Sequence, residues 1–218
     1  MSWRLFESVP AEELREVIAI ARRRAFARGE VVFHDGDPSD SLHLVVKGRF
    51  AVKVVTSRGD VAVLSVCGPG EAFGELALVS PEEPRSATVS ALEAGATHAV
   101  HRRDFERLRG EHPEIDRVLV GLLAGQVRRM SALVVDAYYT SAERRVLRRL
   151  ADLVATYGSA ASEPVVVPVT QEQLAELAGT SRATVNRVLR EEQAHGTVDL
   201  GRGKTTVRQP AELVRRAR

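Results

Sequence analysis

Residues 171–190 read QEQLAELAGTSRATVNRVLR, and they constrain the fold more than any other part of the chain. The small residue Ala175 is followed four positions later by Gly179, and Val185 and Val188 come next. A small side chain avoids a collision between two helices, a glycine permits a sharp turn, and the valines face inward from the second helix. This spacing predicts a helix-turn-helix, whose second helix enters a DNA major groove. A plain helical hairpin is the alternative.

The second predicted helix carries candidate DNA-contacting side chains. Ser181 is a favourable N-cap, and outward-facing positions follow it in the first turns. Arginine binds guanine O6 and N7 with two hydrogen bonds, so Arg182 and Arg187 are the base-reading candidates, with a solvated arginine as the alternative for each. Hydroxyl groups and helix N-terminal amides suit phosphates. The candidate set on this helix is Ser181, Arg182, Ala183, Thr184, Asn186 and Arg187.

The segment VDLGRGKTTVRQP, residues 198–210, predicts a β-hairpin with a basic tip. Arg202 and Lys204 lie at this tip, which we expect to act as a wing that touches the DNA backbone. The charge distribution agrees with a polyanionic partner: residues 140–218 carry 13 Lys and Arg against 9 Asp and Glu, whereas residues 1–139 carry 18 against 20. The net charge of +2 hides this asymmetry.

The N-terminal half of the chain has a different pattern of residues. From residue 30 to residue 100, short runs rich in Val, Leu, Phe and Thr alternate with turn signals. The glycines that punctuate these turns are Gly36, Gly48, Gly59 and Gly70. Such spacing predicts a compact antiparallel barrel or roll of about eight short strands. A helix over Pro10–Phe26 is expected before the roll, because Pro10 suits a first helical turn.

A long helix is predicted from Pro113 to residue 139, because its apolar residues follow a heptad spacing. The seam consists of Val120, Leu123, Val127, Met130, Val134 and Ala137. A second apolar stripe consists of Ile115, Val118, Leu119 and Leu122. One stripe suits the chain's own roll and the other suits a partner helix, so a homodimer is the simplest hypothesis. A helix buried within one monomer is the alternative.

Another helix, AERRVLRRLADLVATYG, is expected to end at Gly158, and SAASEPVVVPV leads into a short strand. The predicted fold is therefore α+β: an antiparallel β-roll at residues 1–112, a dimerisation helix at 113–139 and a winged helix-turn-helix at 140–218.

Several classes of function are disfavoured by what the sequence lacks. The single Cys67 excludes a thiolate metal cage and an iron–sulfur cluster held by this chain. His34, His43, His98 and His101 show no pairing that suggests haem ligation. No Ser/His/Asp ordering, P-loop or metal-ligand run supports an enzyme, so we expect neither catalysis nor a metal. The start MSWRLFESVP lacks the layout of a signal peptide, and the apolar run at residues 118–125 is too short to span a bilayer. We expect a cytoplasmic protein.

The motifs FGELAL, RSATV and SRATVNRVL, in this order around a long helix, resemble the cAMP receptor protein/FNR family of bacterial transcription regulators. The resemblance covers nearly the whole chain. It implies a homodimer that binds a pseudo-palindromic DNA site, with RNA polymerase as a further partner and cAMP as the effector of the roll. The alternatives are a regulator of the same family that responds to another effector or to none, and a cyclic-nucleotide module of a kinase or channel.

The resemblance also implies an effector site. Arg85 would neutralise the cyclic phosphate, Ser86 would donate to its oxygens, and Glu75 would accept from the ribose 2′-hydroxyl. Gly74 lets the backbone approach closely, and the short helical turn of GELAL points amides at the anion. The candidate effector-binding set is Gly74, Glu75, Leu76, Ala77, Arg85, Ser86, Ala87, Met130 and Ser131. A structural ion pair between Arg85 and Glu75, made without any ligand, is the alternative.

Two positions depart from the family's pattern. In cAMP-responsive members a Thr holds the adenine, followed by a polar residue that reaches from the other subunit; the matching positions here are Met130 and Ser131. A thioether makes no strong hydrogen bond, so base choice is expected to be weakened or altered. Ala183 replaces an acidic base-reading residue, which relaxes the expected preference at the paired cytosine.

Overall fold

The computed structural model describes residues 15, 18–80, 82–111, 115–158 and 164–217. These residues fold into two compact units. The first unit comprises the described residues of 1–59 and 64–131, and the second those of 60–63 and 132–218.

The first unit is dominated by two four-stranded sheets. Strands β1, β8, β3 and β6 pair antiparallel in one sheet, and the second sheet has the order β2-β7-β4-β5. The strands are β1 Arg22–Phe26, β2 Val31–Phe33, β3 Ser41–Lys47, β4 Phe50–Val55, β5 Val61–Cys67, β6 Ala72–Phe73, β7 Thr88–Ala91 and β8 Gly95–His101. The helices are α1 Leu76–Val79, α2 Arg102–Glu111 and residues 115–131 of α3 Ile115–Tyr139, whose remaining residues are assigned to the second unit. The predicted antiparallel roll of about eight strands is confirmed.

The interior of the roll is closed by aromatic and aliphatic side chains from both sheets. Phe50 and Phe73 are almost fully buried, with ring centroids 5.3 Å apart. The turn between β3 and β4 requires a glycine, because Gly48 has φ of 78° and a Cβ there would lie 2.7 Å from the Gly95 Cα. The turn therefore packs directly against the start of β8.

The predicted N-terminal helix is wrong at its carboxyl end. Arg22–Phe26 forms strand β1, which pairs antiparallel with β8, and Phe26 is buried in the roll. Arginine favours helix, but intrinsic propensity is weak compared with tertiary contacts, so the pairing with β8 and the burial of Phe26 decide the conformation. Residues 10–14, 16 and 17 of that prediction lie outside the described residues, as does Pro113.

Helix α3 presents different side chains on its two faces. Leu119 is buried in a cluster with Leu42, Val100 and Phe105 of the first unit. The seam residues Val120, Val127 and Val134 are instead 54–65% exposed in the single chain. The side chains of Ile115, Val118 and Leu122 are not among those that the structure describes. The three exposed valines recur every seven residues, so the exposed apolar surface is larger than that of a single scattered valine.

The second unit is built around a helix-turn-helix and a three-stranded sheet of order β10-β11-β9. The helices are α4 Ala142–Tyr157, α5 Gln171–Ala178, α6 Arg182–Ala194 and α7 Pro210–Ala217, and the strands are β9 Val165–Val167, β10 Val198–Gly201 and β11 Lys204–Val207. Leu150, Leu174, Val185 and Leu189 are at most 1% exposed and form the core between the helices. The predicted helix-turn-helix and the helix end at Gly158 are confirmed. Within the described residues, no helix combines the length and the apolar character that crossing a membrane requires.

Candidate functional site

A cavity in the first unit collects residues from the roll and from helix α3. It contains about 620 Å³ of space unfilled by atoms, part of it open to solvent. Predicted effector residues in its lining are Gly74, Glu75, Leu76, Arg85, Ser86, Ala87 and Met130. Ala77 is fully buried beside the cavity, and Ser131 is exposed on α3, so neither lines it.

Arg85 lies at the centre of this site and is only 4% exposed. Its Nη1 donates to the Ser41 carbonyl at 2.8 Å and to the Gly74 carbonyl at 3.3 Å. Its Nη2 donates to the Ser41 hydroxyl at 3.0 Å and to Asp40 Oδ1 at 3.4 Å. The guanidinium also lies over the Phe33 ring, 4.0 Å from its centroid. The ion pair of Arg85 is thus made with Asp40, and not with Glu75 as the alternative from the sequence had it.

The charge of Arg85 is only partly compensated by these contacts. Burial lowers the pKa of its guanidinium, while the carboxylates of Asp40, Asp37 and Glu75 raise it. Guanidinium remains protonated in proteins, so the site holds a desolvated cation. Its Nε is buried and finds no hydrogen-bond partner among the described residues. A buried donor without a partner costs stability, and an anionic ligand is the group that suits it.

Gly74 is required by the geometry beside Arg85. Its φ is 81°, and a Cβ would lie 2.8 Å from Arg85 Nη1 and 3.1 Å from the Ser41 carbonyl oxygen. Both the left-handed backbone and the close approach exclude a larger residue. Glu75, 7% exposed, follows at the start of α1, so a carboxylate lies in the cavity wall beside the arginine.

A chain of polar side chains supports Arg85 from behind. His43 Nδ1 lies 3.0 Å from the Thr97 hydroxyl, and His43 Nε2 lies 3.4 Å from the Ser41 hydroxyl that Arg85 contacts. Burial first, and then the charge of Arg85, lower the pKa of His43 to about 3. The imidazole is therefore neutral at physiological pH. The ring also stacks on Phe73, with centroids 5.1 Å apart and planes 6° apart.

The sequence analysis missed part of the lining. Phe33, Ser39 and Cys67 come from the roll, and Gln126 and Arg129 come from α3. Gln126 lies four positions before Met130, so helical spacing from that residue was the signal that could have found it, whereas that spacing does not indicate Arg129. Burial raises the pKa of the Cys67 thiol to about 12, which leaves it a neutral, unreactive wall residue.

The second unit presents the predicted DNA-contacting residues together on one surface. Gly179 turns the chain with φ of 57°, and the Ser181 hydroxyl caps α6 by accepting from the Thr184 amide at 3.1 Å. The side chains of Arg182, Ala183, Asn186 and Arg187 are exposed, whereas Thr184 is half-buried. A groove between α6 and the hairpin brings together Arg182, Asn186, Arg202 and Lys204.

Two arginines in this unit have contacts that the sequence analysis did not identify. Arg187 Nη2 donates to Glu143 Oε1 at 2.6 Å, so a base-reading candidate is already paired with a carboxylate. Arg145 donates to the carbonyls of Ala178 at 2.9 Å and Gly179 at 3.0 Å. Those two carbonyls end helix α5, so Arg145 satisfies orphan acceptors at the turn.

Comparison with known proteins agrees with this geometry. Residues 23–112 match the family model of a cyclic nucleotide-binding domain, and residues 144–216 match a Crp-like helix-turn-helix domain. The Cyclic AMP receptor protein of Thermus thermophilus is 32% identical over 209 residues, which are 96% of this chain and 94% of that protein. The chain belongs to the cAMP receptor protein/FNR family.

Two further known proteins are similar to this chain over most of its length. The CRP-like cAMP-activated global transcriptional regulator of Mycobacterium tuberculosis is 29% identical over 195 residues, covering 88% of this chain and 87% of that one. The solved structure of the c-di-GMP responsive global regulator CLP of Xanthomonas campestris superposes with a TM-score of 0.77. The two sequences are 21% identical, and the match covers 91% of this chain and 99% of that one. At this identity the likeness shows the fold alone.

The family assignment fixes the general function. The chain is a DNA-binding transcription regulator with a cyclic nucleotide-binding domain and a Crp-like helix-turn-helix domain. Within the part of the chain that the structure describes, no group of three or more His, Cys, Asp and Glu side chains suits a metal ion.

Proposed function

We propose that the protein is a homodimeric, sequence-specific regulator whose affinity for DNA is controlled by cAMP bound in the cavity of the roll. The pseudo-palindromic DNA site and RNA polymerase are its proposed macromolecular partners. The proposed domains are the roll at residues 1–112, the dimerisation helix at 113–139 and the DNA-binding domain at 140–218.

One observation carries the proposal: the buried, incompletely paired Arg85 shares its cavity with side chains of α3. A singly charged cyclic phosphate suits the free Nε and the Ser86 hydroxyl, while Glu75 suits a ribose hydroxyl. A purine held against Gln126 or Met130 would contact the same helix whose valines are exposed. Ligand binding can therefore bias the arrangement of two α3 helices, provided that one arrangement binds the ligand better.

The exposed seam supports the homodimer. Val120, Val127 and Val134 follow heptad spacing and would be covered by the same residues of a second copy. Ser131, exposed beside Met130, is then placed to reach toward the cavity of the partner subunit. A dimer also matches the two-fold symmetry of a pseudo-palindromic site, with one α6 in each half-site.

A second candidate is a regulator of the same family that uses another effector or none. It is favoured by Met130, which lines the cavity with a weakly hydrogen-bonding thioether, and by the internal partners that Arg85 already has. The module of a signalling enzyme is disfavoured, because the relatives that match most of the chain are transcription regulators.

Calorimetry with cAMP tests the effector. We expect heat that saturates at micromolar ligand, and no heat well above that concentration would refute the cAMP proposal while leaving the second candidate. Fluorescence anisotropy with a labelled duplex then tests the coupling. The affinity for DNA should rise on addition of cAMP, and an unchanged affinity would contradict allosteric control. Light scattering at micromolar concentration tests the homodimer, and a monomer would refute it.

A further inference from the structure

The contact between Arg85 and Asp40 has an unusual balance of burial. The Arg85 side chain is 4% exposed, whereas the Asp40 side chain is 62% exposed. Asp40 Oδ1 lies 3.4 Å from Arg85 Nη2 and also accepts from the Ser41 hydroxyl at 2.8 Å. The carboxylate that partly compensates this buried cation therefore remains mostly in water.

Asp40 lies beside the cavity, next to a residue of its wall. Its carboxylate holds the Nη2 side of the guanidinium, and Ser39, the residue before it, lines the cavity. Among the carboxylates that raise the pKa of Arg85, Asp40 has the largest effect. A phosphate that reached Arg85 would meet the negative charge of Asp40 a few ångströms away, and like charges at that distance repel.

We propose that Asp40 is the resident counterion of Arg85, and that its charge beside the guanidinium opposes an anionic effector and so sets the affinity of the cavity for its ligand. The inference rests on the proposed function. In the free protein the carboxylate compensates the buried guanidinium. In the complex the ligand phosphate takes over that role, and Asp40 is left facing a like charge.

The backbone of Asp40 has a separate role. Its carbonyl accepts from the Arg102 amide at 2.8 Å, at the first residue of α2. An Asp40→Asn substitution keeps this carbonyl, the side-chain shape and an acceptor for Ser41. It removes the charge and puts an amide in place of the carboxylate that also lies 3.8 Å from His101 Nδ1. Asp35 offers a matched control, because it is an exposed carboxylate of the same loop and is not among the groups that shift the pKa of Arg85.

The test combines calorimetry with cAMP and the melting temperature of the ligand-free protein, for wild type, Asp40→Asn and Asp35→Asn. A competing counterion predicts that Asp40→Asn binds cAMP about two- to fivefold more tightly. It also predicts a lower melting temperature for the ligand-free variant, since Arg85 loses its compensating charge. Asp35→Asn should match wild type in both measurements.

The other outcomes overturn the inference in distinguishable ways. Equal affinities of wild type and Asp40→Asn would refute the competition and leave the proposed function standing. Weaker binding by Asp40→Asn would show that Asp40 positions Arg85 for the ligand. A gain in cAMP affinity of the same size in Asp35→Asn would show that the effect comes from the negative charge of the whole loop and not from Asp40 in particular. If neither wild type nor Asp40→Asn releases heat with cAMP, the cAMP proposal falls, and this inference falls with it.

Discussion

Replacement of Arg85 by leucine should remove ligand binding and also destabilise the first unit. If Arg85 is a ligand contact, as the family resemblance implies, its loss abolishes binding without unfolding the protein. The structure changes this expectation because the guanidinium donates to the carbonyls of Ser41 and Gly74 and lies over the Phe33 ring. These partners belong to segments that are far apart in the chain, and a leucine offers none of them a donor.

The size of the effect follows from the groups left behind. A buried carbonyl that loses its donor costs about 1–3 kcal/mol, and the contact with Phe33 adds about 0.5–2 kcal/mol. Removal of a desolvated charge offsets part of this loss. We therefore expect Arg85→Leu to lower the free energy of unfolding by about 2–3 kcal/mol, which corresponds to a fall in melting temperature of about 5–10 °C for a unit of this size.

Differential scanning calorimetry provides the assay, with cAMP titrations on the same samples. Arg58→Leu is the matched control, because Arg58 is exposed in a turn and the same substitution there should change stability by no more than about 0.5 kcal/mol. If Arg85→Leu melted like wild type, the structural role would be refuted. If it melted earlier but kept its affinity for cAMP, the ligand role would be refuted instead.

Three further predictions concern pH, salt and sequence reading. Because the pKa of His43 is lowered to about 3 from its ordinary 6.5, the unfolded chain takes up a proton below pH 6.5 that the folded one does not, so the free energy of unfolding should fall as pH drops from 6.5 toward 3. Urea unfolding of wild type and His43→Phe at pH 7 and pH 5 checks this, and an equal pH dependence in both would contradict it. Lys204→Ala should weaken DNA binding and reduce the slope of log affinity against log salt by about 0.9 in anisotropy titrations, whereas an unchanged slope would remove Lys204 from the phosphate contacts. Glu143→Gln should raise DNA affinity about two- to fivefold, because Arg187 no longer has to leave a carboxylate. A loss of affinity would instead identify Glu143 as a residue that positions Arg187.

Most of the predictions that the structure confirms rest on residues close together in the sequence. Ala175, Gly179 and Val185 lie within one motif, and their offsets follow directly from helix geometry and the need for a left-handed turn. The strands of the roll were predicted from alternating texture and turn residues in the same way. The strand at Arg22–Phe26 was missed, because its pairing with β8 joins residues 69 to 77 positions apart along the chain.

The amino-acid sequence by itself determined the order of the elements, the family and the residue types available to the site, since helix caps, turns and apolar periodicity are local properties. Only the tertiary structure decided which groups meet. It placed Ser41 and Asp40 against Arg85, and it brought Gln126 of α3 to the cavity wall. These contacts join segments that are distant in the chain. They form only when the roll has folded, because a buried charge then needs hydrogen-bond partners from whichever segments surround it.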